Sequence, residues 1–208
     1  MRTIVLATRN PGKARELRAL LAGLRGDVRL LDDFPDMPIL PESGETFETN
    51  AVAKAATVVR LTGCAALADD SGIEIDALGG APGVHSATFL GPAATDADRN
   101  TWVLDRLRGI PEELRTARYR AVVAVATPDG TVRAFEGTCE GHIADEPRGH
   151  EGFGYDPIFV IPAKGQTMAE LPPEIKNRIS HRARALEAAR PYLESLTSDT
   201  AVESPPRP

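Results

Sequence analysis

The chain has 208 residues, 42% of them hydrophobic and 26% charged, the make-up of an ordinary globular protein long enough to bury a sizeable core. A formal net charge of −6 argues against a general nucleic-acid binder, and no apolar run approaches the roughly 20 residues that span a bilayer. The two cysteines, Cys64 and Cys139, lie far apart without metal-ligand spacing, and the N-terminus lacks a secretory pattern, so a reducing cytoplasm is the expected compartment.

Thr3 to Ala7 (TIVLA) is a continuous apolar run of the kind that forms a buried strand. It leads into Thr8-Arg9-Asn10-Pro11-Gly12-Lys13, after which Leu17, Leu20, Leu21 and Leu24 mark one face of a helix. A strand–loop–helix junction presents free N–H groups and a positive dipole end, and Pro11 suits a first helical turn. Thr8 and Asn10 carry polar side chains, and Lys13 sits where it can reach a phosphate. The glycine spacing of the Walker and dinucleotide loops is absent, so phosphate binding and plain helix capping both stand.

Val28 to Leu31 predicts a short strand, followed by a proline-rich connection from Phe34 to Pro41. Phe47, Ala51, Ala55, Val58 and Val59 then follow helical spacing, with Gly63 as the stop. Glu42 precedes this helix and Lys54 lies within it; by default these are a dipole contact and a solvated lysine. Next, Ala65 to Ala68 runs into Asp69-Asp70-Ser71-Gly72 and then Ile73 and Ile75, which predicts strand, polar turn, strand. Alternation along an extended chain sends Asp69 and Asp70 in opposite directions. Two acids beside small residues suit magnesium, which binds through one or two carboxylates plus substrate phosphates. An Asx-type turn is the other reading.

Gly79 to Gly83 (GGAPG) must be a loop, and Asp96 or Asp98 can cap a helix with Trp102, Val103 and Leu107 inward, ended by Gly109. Arg118 to Ala126 and Thr131 to Gly141 read as a hairpin around Pro128-Asp129-Gly130, so the sheet is mixed. In Gly149 to Val160 (GHEGFGYDPIFV), glycines allow close approach to a ligand, while Phe153 and Tyr155 either stack on a planar ring or plug the core; Asp156 either joins them or starts a turn. Pro172 to Asn177 begins a short helix. Ser180 can cap a last one carrying Ala185, Leu186, Ala189 and Leu193, with a kink at Pro191. His181 and Arg182 oppose the dipole at its start, which an arriving anion would explain. Ser198 to Pro208, with three prolines and no periodicity, predicts a disordered tail.

TRNPGK, ESGETFETNAVAKA, ADDSG, LGGAPG, GFGYDPIF and ISHRARAL, in this order, resemble the inosine triphosphate pyrophosphatase family, the non-canonical purine nucleoside triphosphate (dITP/XTP) diphosphatases. The resemblance spans about residues 3–196. It implies an α/β fold: an elongated mixed sheet flanked by helices, with two lobes and an active-site cleft between them, residues 1–197 forming one domain. It also implies a homodimer, dependence on Mg2+, no nucleic-acid or membrane partner, and hydrolysis of ITP/dITP or XTP/dXTP to monophosphate and pyrophosphate. A pyrophosphatase for other nucleotides, or a binding module without turnover, are the rival readings.

Carried over to this sequence, the resemblance makes Asp70 the proton acceptor and, with Glu42, a metal-associated acid, Asp69 standing behind. Thr8, Arg9, Asn10, Pro11, Gly12 and Lys13 would hold phosphates, Ser71 would contribute beside them, and Lys54 would neutralise charge. Phe153, Gly154, Tyr155, Asp156, Lys176, His181 and Arg182 would form the nucleotide and base end. Arg9 and the Ser-Pro tail depart from the family pattern. Selectivity against adenine needs a donor facing the purine 6-oxo group, with His181, Arg182 and the backbone N–H groups of Gly152 to Tyr155 as candidates.

Overall fold

The computed structural model describes residues 3–197, so the disorder expected over Ser198 to Pro208 lies outside the described residues. The apolar N-terminal run forms β1 (Thr3–Leu6), and α1 (Pro11–Leu20) follows with Pro11 in its first turn and the Asn10 side chain accepting the Lys13 N–H at 3.0 Å. Next come β2 (Asp27–Leu30) and α2 (Phe47–Thr62), the latter capped by Thr46 and ended by Gly63 in the left-handed conformation. The chain continues through β3 (Ala65–Ile75), α3 (Asp96–Arg106), β4 (Thr116–Ala126), β5 (Val132–Ile143), β6 (Phe159–Ile161) and β7 (Gln166–Thr167). Two helices, α4 (Pro173–Ile179) and α5 (His181–Thr197), close it; α5 passes Pro191 as one helix.

Among the described residues these strands make one seven-stranded sheet, ordered β2-β1-β3-β4-β5-β6-β7. β1 is parallel to both β2 and β3, and the remaining neighbours are antiparallel. The mixed sheet and the β4–β5 hairpin agree with the sequence reading.

The turn expected at Asp69-Asp70-Ser71-Gly72 does not exist. These residues run straight through β3, with Asp69, Asp70, Ser71 and Gly72 opposite Val123, Val122, Ala121 and Arg120 of β4. A fully paired neighbour satisfies the backbone that a turn would otherwise have to satisfy itself. Gly72 is required for another reason: a Cβ there would strike the Gly83 carbonyl and the Ser86 hydroxyl, which cross over the strand.

Side-chain alternation along β3 sorts the two faces. Ala66 and Ala68 pack with Ala51, Ala55 and Val58 of α2, whereas Leu67 packs with Leu17 of α1 and Ala185, Leu186 and Ala189 of α5. Wholly buried leucines such as Leu17 and Leu67 each stabilise the fold by about 1.5–3 kcal/mol. A third cluster, with Ile73, Ile75, Tyr119, Tyr155 and Phe159, fills the far part of the sheet.

This topology fixes where a ligand fits. The pairing of β1 with β3 covers Ala65 to Leu67 and ends there, so β3 runs on past the end of β1 just where Asp69 and Asp70 occur. The chain leaves β1 for α1 on one face and reaches β3 from α2 on the other. Such a switch point opens a crevice at the carboxyl end of the strands.

Candidate active site

A cavity of about 440 Å³ opens beside this crevice. Asn10, Pro11, Gly12, Lys13 and Ser71 line one side, and Phe153, Gly154, Tyr155, Asp156, Lys176, His181 and Arg182 line the other. Two groups of expected residues lie outside this lining. Thr8 accepts the Asn10 N–H through Oγ1 at 3.2 Å, and the Arg9 guanidinium turns away to donate to the Met37 carbonyl. Glu42, Lys54 and Asp70 form a separate group on the α2 face of β3.

On the α1/α5 face, charges of alternating sign run along the cavity wall. Lys13 Nζ lies 2.8 Å from Asp69 Oδ2, which also takes the Arg182 guanidinium at 3.1 Å. Arg182 pairs in turn with Glu16, Glu16 with Lys176 at 2.7 Å, and Lys176 with Asp156. Burial pushes the Asp69 carboxyl up, but the charges and hydrogen bonds of Arg182 and Lys13 outweigh it and hold the group far below the usual carboxylate range. Asp156, equally enclosed, has its carboxyl raised by burial, against the pull of Lys176.

Arg182 is 1% exposed, and its Nη atoms reach Glu16, Asp69 and Ser71. The anion inferred for the start of α5 is therefore the protein's own pair of carboxylates. His181, also buried, stacks on the Tyr119 ring at 4.5 Å with 9° between planes. Burial, and then the charge of Arg182, hold its pKa well below the ordinary imidazole value, so the ring is neutral; its Nδ1 has no hydrogen-bond partner among the described residues.

Phe153 is half-buried. Gly12 gives its ring a seat, since a Cβ at that glycine would lie 2.5 Å from Phe153 Cδ1, and Lys176 Nζ lies 4.9 Å from the ring centroid. Tyr155 is buried, donating to the Ser86 carbonyl at 2.6 Å, so it plugs the core while one edge meets the cavity. Two expected backbone donors are already engaged: the Phe153 N–H by Asp156 at 2.8 Å and the Gly154 N–H by Asp96 at 2.7 Å.

On the α2 face, Lys54 is 4% exposed rather than solvated, because it projects from α2 onto β3. Its ammonium donates to Asp70 Oδ1 at 2.6 Å, to Glu42 Oε1 at 3.0 Å and to the Asp69 carbonyl at 3.0 Å. Asn50 Nδ2 reaches Asp70 Oδ2 at 3.3 Å. Burial raises the Asp70 carboxyl above its ordinary value, with Lys54 and Lys13 opposing. Burial disfavours the Lys54 charge, yet Asp70 and Glu42 outweigh it and keep the ammonium.

Two acids converging on one cation supply the hard oxygen donors that magnesium takes, and Glu42 is open to solvent. Among the described residues no group of three or more His, Cys, Asp or Glu is placed to hold a metal; two carboxylates are the smaller set with which magnesium would need water and substrate phosphates.

Glu16 and Tyr119 escaped the sequence reading. Glu16 follows Lys13 by one helical turn and so faces the same way, a signal hidden by attention to the leucines. Tyr119 sits in an apolar strand with nothing local to mark it.

A crevice lined by charged and aromatic side chains at a strand–helix junction, with adjacent acids on opposite faces of one strand, places the chain among α/β proteins with a small-molecule cleft at a switch point of the sheet. The chain belongs to the Ham1 family, whose model matches residues 4–192. It is 52% identical over 186 residues to the dITP/XTP pyrophosphatase of Geobacillus kaustophilus, covering 89% of this chain and 91% of that one. It is 49% identical over 193 residues to the dITP/XTP pyrophosphatase of Geobacter sulfurreducens, covering 93% and 97%. A solved HAM1 protein from Coxiella burnetii superposes with a TM-score of 0.83 at 43% identity, covering 95% of this chain and 99% of that one. No described helix is long and apolar enough to cross a membrane.

Proposed function

We propose that this chain hydrolyses non-canonical purine nucleoside triphosphates, dITP and XTP among them, to the monophosphate and pyrophosphate, and so cleanses the nucleotide pool. The observation that carries this reading is the meeting of Lys13 with Asp69 beside a cavity of about 440 Å³, within the size range of small-molecule sites, in a chain 49% identical to a dITP/XTP pyrophosphatase.

In this reading the N-terminus of α1 and Lys13 receive phosphates, and Phe153 stacks on the purine. Asp70 accepts the proton of a water directed at the α phosphorus, a role suited to a carboxyl whose basicity burial has raised. Lys54 holds Asp70 and Glu42 toward one point and offsets phosphate charge. Glu42 and Asp70 would hold magnesium, which when bound neutralises phosphate charge and stabilises the departing pyrophosphate. Asp69 keeps Lys13 and Arg182 in place from behind.

Neutral His181 is the candidate donor to the purine 6-oxo group. Adenine's amino group would leave that donor unpaired at a penalty of about 1–3 kcal/mol. We further propose that residues 3–197 act as one unit of two lobes facing across the cavity, as a cytoplasmic homodimer without nucleic-acid or membrane partners.

A panel of triphosphates scored by pyrophosphate release tests the reading. Greatest kcat/KM is expected for dITP, ITP or XTP with magnesium; a higher value for ATP or a pyrimidine triphosphate would remove the base assignment.

A further inference from the structure

Helix α3 lines the cavity with Asp96 and Arg99 and also holds the backbone of one residue on the wall. Asp96, in its first turn, accepts the Gly154 N–H through Oδ2 at 2.7 Å, and Asn100, one turn later, donates Nδ2 to the Gly154 carbonyl at 3.1 Å. Both polar groups of one residue are thus held by side chains 58 and 54 positions earlier in the sequence. Asp96 is steadied on its own helix, since its other oxygen takes the Arg99 guanidinium at 2.8 Å. Asn100 is 5% exposed, and its Oδ1 has no hydrogen-bond partner among the described residues, so it is the donor end of this amide that the arrangement uses.

The gripped residue is one that needs holding. Gly154 has φ +65° and open space where a side chain would be, so neither sterics nor packing at that position fixes it. It stands between Phe153 and Tyr155, two aromatics of the cavity wall. Tyr155 has its own anchor at the Ser86 carbonyl. Phe153 is tied through its N–H to Asp156, while its ring rests on Gly12.

We propose that Asp96 and Asn100 are positioning residues for the nucleotide's base: by clamping the Gly154 peptide from α3 they pre-set the angle at which Phe153 meets the ring. The inference rests on the nucleotide reading of the cavity. A hydrogen bond to a carboxylate is stronger than a neutral one, and a segment ordered before the ligand arrives does not charge its ordering entropy against binding. Neither residue touches Asp70, so the clamp acts on KM and leaves kcat alone.

The test combines dITP kinetics, pyrophosphate inhibition and amide hydrogen exchange on the full chain. The Asp96 side chain is about half exposed, so Asp96→Ala is expected to fold. Faster exchange across residues 152–156 is expected in that variant, with KM for dITP up about tenfold and kcat within about twofold. Inhibition by pyrophosphate, which has no base, should not move. Asp96→Asn, whose amide oxygen still accepts the Gly154 N–H, should restore most of the loss. On a Phe153→Ala background, Asp96→Ala should add little.

The clamp is overturned if exchange in this segment is unchanged, if KM stays at the wild-type value, if pyrophosphate binding weakens in step with dITP, or if the two substitutions multiply. Wild-type turnover of dITP decides the underlying reading separately. Should the wild type release no pyrophosphate, exchange together with calorimetric nucleotide binding still decides the clamp.

Discussion

On the α5 side of β3, Asp69 is enclosed between Arg182 and Lys13, in a run of charges that continues through Glu16 and Lys176 to Asp156. On the α2 side, the Asp70 side chain is hydrogen-bonded by Lys54 and Asn50, and Glu42 across from it opens to solvent. The same residue type, one position apart, has its pKa moved in opposite directions, down for Asp69 and up for Asp70. Two cations on Asp69 against one ion-paired cation on Asp70 drive like groups apart, which is how a site separates a fixed charge from a group that handles protons. On this view Asp69 is scaffolding for cations, and Asp70 is the reactive neighbour.

The largest expected difference between the two faces is in stability. Asp69→Asn leaves the buried Arg182 guanidinium with Glu16 as its one charged partner and should cost about 3–5 kcal/mol in urea unfolding. Asp70→Asn keeps an oxygen for Lys54 and removes a carboxylate that burial disfavours, so its loss should stay under about 2 kcal/mol. Equal losses would break the comparison at its root.

Phe153→Ala comes next. Its ring packs against Lys176 and Arg182 of the same run of charges, so its removal should weaken nucleotide binding by about 1–3 kcal/mol and leave pyrophosphate binding unchanged. Equal weakening of both ligands would make Phe153 a core residue. Glu42→Gln probes the other face: the magnesium concentration for half-maximal rate should rise about tenfold, with kcat recovered at saturation. An unchanged magnesium dependence would take Glu42 out of the metal site. Gly12→Ala is the smallest change. Its methyl displaces the Phe153 ring from its seat, and KM for dITP should rise about threefold. If KM holds, the contact between the two ends of the cavity has no bearing on binding.

Much of this was legible in the chain. TIVLA followed by a helix, the hairpin around Pro128-Asp129-Gly130 and the alternation that separates Asp69 from Asp70 all follow from local periodicity, and the structure bears them out. The motif resemblance also pointed to the family that the chain matches. Missed features were those set by distant partners. Asp69-Asp70-Ser71-Gly72 looks like a turn because four polar or small residues in a row break an apolar run. It is strand because Arg182, Lys13, Lys54 and Asn50 arrive from three helices to satisfy the side chains. Lys54 looked solvated because its helix neighbours gave no hint of the acids across from it. The cations opening α5 suggested a ligand because Glu16 stands 166 residues from Arg182 in the chain.

The most direct test of the division between the two acids is the rate of pyrophosphate release from dITP by the Asp70→Asn protein at saturating magnesium, with nucleotide affinity measured on the same preparation. The account predicts a loss of about 10³-fold in rate with nucleotide still bound. Turnover near the wild-type rate would contradict it and remove Asp70 from the chemistry.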